Sequence, residues 1–188
     1  MNIFYLDKDP CQAAQWQCDK HVVKMPVETA QLLCTAHRVL DGTEYIDRTK
    51  NNRKIKRWKM PDKFHESLFY KATHVNHPSA VWVRESKDHY DWLYEHFIAL
   101  SNEFTQRYNK PHRSWELLAT FLLQAPVNIT KSGFVDPIPA INDKYQDMIV
   151  LNNSIQSYRN YYQFAKTDLH QWKQNKPDWI FEVKVNRV

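Results

Sequence analysis

Glycine is almost absent from this chain: only Gly42 and Gly133 occur in 188 residues. Phosphate-cradling loops of the Walker or Rossmann type need several glycines, so that backbone amides can approach the phosphate closely. The scarcity excludes a standard nucleotide-binding fold. What remains is helical patterning. Tyr90, Leu93, Phe97, Leu100 and Phe104 follow a three-and-four rhythm, which predicts an amphipathic helix capped by Ser86 and running to Tyr108. Asp9 and Pro10 form a cap-then-proline opening for a long first helix, which carries Ala13, Trp16, Val22, Val27, Leu33 and Leu40. That helix is expected to kink or divide at Pro26 and to end near Gly42 as a left-handed cap. Ser114 is expected to cap a short helix from Trp115 to Gln124, which Pro126 ends. Pro126, Gly133, Pro137 and Pro139 argue for irregular chain up to Asn142. A last helix should carry Tyr158, Tyr161, Tyr162, Ala165 and Leu169, and Trp179 to Val188 reads as a short strand or as loose chain. The expected fold class is all-α (mainly α): one compact domain over 1–188, with a long N-terminal helix and several packed helices.

Apolar residues at 43% and charged residues at 25% describe a globular chain that buries a core. No stretch approaches the roughly 18 consecutive apolar residues of a spanning helix, and MNIFYLDKDP lacks the layout of a signal peptide. Membrane and secretory readings are therefore set aside. Cys11, Cys18 and Cys34 are odd in number and poorly placed for a disulfide framework, so a reducing cytoplasm is expected. No cofactor is expected. No metal site is expected either, because His65, His74, His77 and Cys34 lack the paired short spacings of zinc ligands. His37 and His112 read as capping or hydrogen-bonded structural residues. Arg84 and His89 lie where they could approach the first helix.

Charge is more informative. Lys and Arg outnumber Asp and Glu by 26 to 21, and the excess is concentrated in Arg48, Lys50, Arg53, Lys54, Lys56, Arg57 and Lys59, a run without an acid. With Trp58 inside it, the run suits phosphate neutralisation and base stacking, and is expected as a loop or solvent fringe that binds DNA. Tyr158, Arg159, Tyr161, Tyr162 and Lys166 form a second aromatic and basic group, in which Tyr158, Arg159 and Tyr161 are further candidates to contact DNA, although core packing is the commoner arrangement.

A polar stripe on the first helix is the candidate for chemistry. His21, Lys24, Glu28, Gln31 and Thr35 are spaced to share one helical face. An ordinary wet face would account for the spacing alone, but this set mixes an acid, a base, an amide and a histidine. Glu28 suits general acid or base work, with Lys24 or His21 tuning its proton affinity.

Asp19-Lys20-His21, followed by Glu28 seven positions after the histidine, resembles the phage pyrimidine-dimer DNA glycosylase (endonuclease V) family. In that family a long N-terminal helix carries Asp-x-His and then the catalytic glutamate. Asn76-His77-Pro78 is similar to a stretch in bacterial relatives, and Tyr158-Arg159-Asn160-Tyr161-Tyr162 to the family's C-terminal aromatic cluster. The whole chain also looks like a group of phage proteins sharing His-Val-Val-Lys-Met and Asn-His-Pro-Ser-Ala, a likeness that carries no activity. The glycosylase resemblance implies a DNA repair enzyme acting on double-stranded DNA in the host cytoplasm. An N-terminal α-amine would displace a damaged base, and the resulting Schiff base would eliminate to cut the strand, with Glu28 assisting. An α-amine titrating at about 7.7–8.0 is appreciably neutral at pH 7, whereas a lysine near about 10.4 must be strongly perturbed to attack. The chain departs from the family in having Asn2 after Met1 in place of a small residue, and Val27 and Gln31 where phosphate-binding arginines stand. The nucleophile therefore stays open among Met1, Lys20 and Lys24. Two rivals belong to other classes: a non-catalytic protein binding nucleic acid or a host partner, and an enzyme acting on free nucleotides. The latter would require a closed pocket rather than an exposed basic groove.

Overall fold

The computed structural model describes residues 1–181. The fold is mainly α, with one small two-stranded sheet. Helix α1 spans Pro10–Gln15 and α2 spans Asp19–Asp41. Strands β1 (Thr43–Arg48) and β2 (Lys54–Lys59) form an antiparallel hairpin. Helices α3 (Lys63–Leu68), α4 (Pro78–Glu85), α5 (Lys87–Tyr108), α6 (Arg113–Leu122) and α7 (Ser154–Ala165) follow, with 3-10 segments at Asp143–Met148 and Thr167–Leu169. Helix α2 packs against α4, α5 and α6, so most of its circumference is inside the protein.

The expected first helix is two helices. Asp9 caps α1 by accepting from the amides of Cys11 and Gln12, as the cap-then-proline pattern predicts. The break at 16–18 is made from a distance. The buried Arg107 guanidinium, on α5, donates to the carbonyls of Gln15 and Gln17 and to Asp19 Oδ1. Those contacts supply partners for the carbonyls at the end of α1 and hold the acid at the start of α2. Pro26, by contrast, lies inside α2 without dividing it. Gly42 is extended rather than left-handed, with φ −89°. Its glycine has a steric reason: a Cβ there would collide with the backbone oxygen of Arg38.

The fringe expected at 48–59 is the hairpin. Its approach to the body is fixed by Arg38 of α2, which is buried and bonds the backbone oxygens of Trp58, Glu66, Phe69 and Tyr70 as well as Glu66 Oε2 at 2.7 Å. Removing that guanidinium takes the donor from four carbonyls and leaves Glu66 Oε2 with the Met60 amide alone. Arg38→Ala is expected to lower unfolding free energy by about 3–5 kcal/mol, read from the denaturant midpoint. Arg38→Lys should recover little, since an ammonium cannot present a planar five-donor fork.

Helix α5 has the predicted limits: Ser86 Oγ accepts from Asp88 N, and Asn109 closes the helix at φ 53°. Helix α6 begins earlier than expected, because His112 Nδ1 rather than Ser114 supplies the cap. Leu169 lies beyond α7, in the second 3-10 segment. In the tail, Trp179 packs edge-on against Trp16; the remainder of the expected strand, 182–188, lies outside the described residues. No helix among the described residues is long and apolar enough to cross a membrane.

Candidate active site at the amino terminus

The first residues fold back onto α2. Asn2 organises this: its Oδ1 accepts from the amides of Ile3 and Phe4, and its Nδ2 donates to the Ala140 carbonyl at 2.8 Å. Phe4 takes a left-handed backbone, φ 52°, which costs a non-glycine residue on the order of 1–3 kcal/mol. In return its ring stacks on His21 at 4.3 Å and meets Tyr162 edge-on. Ile3, Tyr5 and Leu6 are fully buried, so the segment is anchored core.

This anchoring brings the amino group of Met1 to 3.9 Å from Glu28 Oε2. The same oxygen accepts from the amide of Asn2 at 3.2 Å, and Lys24 Nζ sits 2.9 Å from Oε1. The Glu28 carboxylate is therefore held between a backbone donor and an exposed lysine, with the terminal amine just beyond hydrogen-bond length. A pocket of 390 Å³ opens over this group. Phe4, His21, Met25 and Tyr161 line its apolar side, and Lys20, Lys24 and Lys166 give it positive charge. Lys166 Nζ lies 4.7 Å above the Tyr161 ring.

The stripe is only partly a site. His21 is buried, with Nδ1 2.6 Å from the Tyr162 hydroxyl, and does not bond Glu28. Burial, then Lys166 and Lys24, depress its pKa to about 3, so the ring is neutral at pH 7 and serves as a wall of the pocket. Of the two residues expected to tune Glu28, Lys24 makes the contact. Thr35 is buried and accepts from the amide of Thr73, and this holds the segment 72–76 against α2. His77, to which no role was assigned, caps α4 through Nδ1 and lies in the electrostatic field of the Met1 amine, His74 and Glu28. Burial first, then the nearby Met1 amine and His74, push its pKa down against the pull of Glu28. Asn-His-Pro before an apolar run is a cap-then-proline signal that marks this position in the sequence. Arg84 does not reach the stripe; it bonds the carbonyls of Val75 and Ala80. His89 is structural, between Trp82 O and Val135 N.

The basic residues divide. On the hairpin, Lys50, Arg53, Lys54, Lys56 and Lys59 are exposed. Arg48 is turned onto Asn52, holding the turn. Arg57 and Trp58 are half-buried, and together with Ile55 and the segment 72–76 they line a separate pocket of 430 Å³. The run is also less one-sided than its composition, because β1 sets Glu44 against Lys56 and Asp47 beside Arg57. The aromatic cluster of α7 packs into the core, the commoner of the two arrangements expected for it, and is not laid out as an open DNA contact. Tyr158 is completely buried and its hydroxyl accepts from Ala140 N, so it belongs to the core. Arg159 is tied to Leu6 O and Asp7 and lies over the rings of Trp16 and Trp179. Tyr161 is buried except where it borders the amine pocket. Among the described residues no group of three or more His, Cys, Asp or Glu is arranged to hold a metal ion.

No known protein family, no curated protein and no solved structure matches the chain.

Proposed function

We propose that the protein is a DNA glycosylase with lyase activity on a damaged or modified base in double-stranded DNA, using the amine of Met1 as nucleophile. The observation that carries this reading is the 3.9 Å approach of that amine to Glu28 at the floor of a lysine-rimmed pocket. The neutral amine attacks C1′ of the sugar, and the base departs with the electrons of the glycosidic bond. The C1′–O4′ bond then breaks: O4′ takes the proton that the attacking nitrogen gives up, the nitrogen lone pair forms the iminium between Met1 and C1′, and the departed base takes a proton from water. Glu28 takes a proton from C2′, the released electrons form the C2′–C3′ double bond, and the 3′-phosphate leaves; water then hydrolyses the imine and frees the amine. Lys24 stays paired with Glu28 at 2.9 Å. Lys20 and Lys166 supply the positive charge that Val27 and Gln31, both half-buried, do not.

The hairpin fits the same reading as a duplex contact, since a two-stranded ribbon enters a major groove and its exposed cations meet phosphates. Affinity is expected to fall linearly in log salt, by about 0.9 log unit per phosphate contacted. Replacing Lys50, Arg53, Lys54 and Lys59 by Ala should flatten that slope, measured by anisotropy on a duplex; an unchanged slope removes the hairpin from the interface.

Borohydride trapping on a duplex with one abasic site tests the chemistry. The expected result is a covalent protein–DNA adduct that forms only with the reductant. Duplex binding without any adduct transfers the assignment to a non-catalytic nucleic-acid-binding protein.

A further inference from the structure

The pocket between the hairpin and the segment 72–76 holds an arginine whose donors find nothing to bond. Side chains alternate across β2, so Ile55 and Arg57 share one face, and both are half-buried where the strand borders 72–76. The Arg57 side chain is 25% exposed, and its Nε is shielded from solvent without a hydrogen-bond partner. The nearest acid, Asp47, stops 4.0 Å from that nitrogen, with its other oxygen held by the amide of Arg48. The other recessed arginines are bonded to oxygens of the chain. Arg38 and Arg107 reach carbonyls and carboxylates, Arg84 two carbonyls, and Arg159 a carbonyl and Asp7. A buried N–H without an acceptor costs its desolvation with no return, so Arg57 is set for an acceptor that comes from outside the chain.

The walls are fixed before that acceptor arrives. Arg38 holds the carbonyls of Trp58, Phe69 and Tyr70, Thr35 Oγ1 accepts from the amide of Thr73, and Arg84 holds the carbonyl of Val75. Both β2 and 72–76 are thereby pinned to the helices, which lowers the cost of ordering a site on binding. Ile55, Ala72 and Val75 give the pocket apolar sides, beside which a charge-assisted hydrogen bond is stronger than in water. Among the described residues no Asp or Glu lines it. Lys56 lines it as well, already paired with Glu44, so the unmatched charge is that of Arg57.

We infer that this pocket binds a phosphoryl group, with two of its oxygens on the guanidinium fork of Arg57. The planar fork matches phosphate oxygens in pairs, which a point charge does not. A carboxylate would occupy the fork and end there, whereas a phosphoryl group carries more charge and has further oxygens for the donors of His74 and Asn76. The site shares no lining residue with the Met1 pocket and needs no Schiff-base chemistry, so it goes beyond the lyase reading and stands without it.

Nuclear magnetic resonance on the full chain, titrated with inorganic phosphate at constant ionic strength, tests this. The Arg57 Nε–H signal, identified by its loss in Arg57→Lys, should shift saturably together with the amides of 73–76, and acetate should bind about tenfold more weakly. Arg57→Lys keeps the charge and removes the fork, and should weaken phosphate about tenfold, read from the same amides. Asn76→Glu, at an exposed position on the rim, should weaken it as much by setting a carboxylate against the anion, read from the Arg57 signal. A lesion-free duplex that moves the Arg57 signal identifies a strand phosphodiester as the source. A duplex that leaves it unmoved, while glycerol phosphate moves it, identifies a small monoester; either result supports phosphoryl recognition. No saturable shift with phosphate, acetate binding as tightly as phosphate, or full phosphate affinity in either variant overturns it.

Discussion

Glu28→Gln is expected to slow strand cleavage at an abasic site by about 10²–10⁴-fold, the range for loss of a positioned general base. The substitution is nearly isosteric. A Gln oxygen can still accept from the amide of Asn2, so the fold-back of the first residues survives, while the charge facing Met1 and the capacity to take a proton are both lost. Thermal midpoint and duplex affinity should stay close to those of the parent, because the pair with Lys24 is largely solvent-exposed on the lysine side and of a kind worth little. Single-turnover cleavage is the measurement. Parental rates in this variant would remove Glu28 from the chemistry, whatever its distance from the amine.

The second large effect concerns which nitrogen attacks. Adding Gly-Ser before Met1 converts its amine to an amide and is expected to abolish the borohydride adduct, whereas Lys20→Ala and Lys24→Ala should retain it. The Met1 side chain is buried, so the extension must leave through the pocket, where it also competes with a sugar for space. A positive control separates blocking from misfolding: the extended chain should keep the salt-dependent duplex affinity of the hairpin. If the adduct survives extension and vanishes only in Lys24→Ala, the nucleophile is Lys24, whose nitrogen is 2.9 Å from Glu28.

How much of this was legible in the sequence depends on the range of the interactions responsible. Helix α5 was readable to the residue because its determinants are local: the Ser86 cap, the apolar rhythm, and Asn109 at the left-handed end. The division of the first helix was not, because Arg107 lies about 90 positions from the carbonyls it binds. The hairpin had a local signal that charge obscured. Lys54-Ile55-Lys56 alternates at the strand period, and Asn52 sits in the left-handed turn. For the site, the Lys24–Glu28 spacing gave the one-turn contact directly. The neutral state of His21 did not follow from spacing, since it comes from burial under Phe4 and beside α7. The structural role of Arg159 likewise required Asp7 and Trp16 to be brought together by the fold.

The bond from Asn2 to the carbonyl of Ala140 has a consequence for the order in which the chain becomes competent. Asn2, which positions the amine, and its partner Ala140 are 138 positions apart in the chain, and the pocket walls at Tyr161 and Lys166 lie further along still. Such closures are slow relative to helix formation, because the loop entropy is spent before the contact repays it. A partly folded chain therefore carries an amine with nothing to aim it, and capacity to form an adduct should rise during refolding only with the final tertiary phase, after helical signal has recovered.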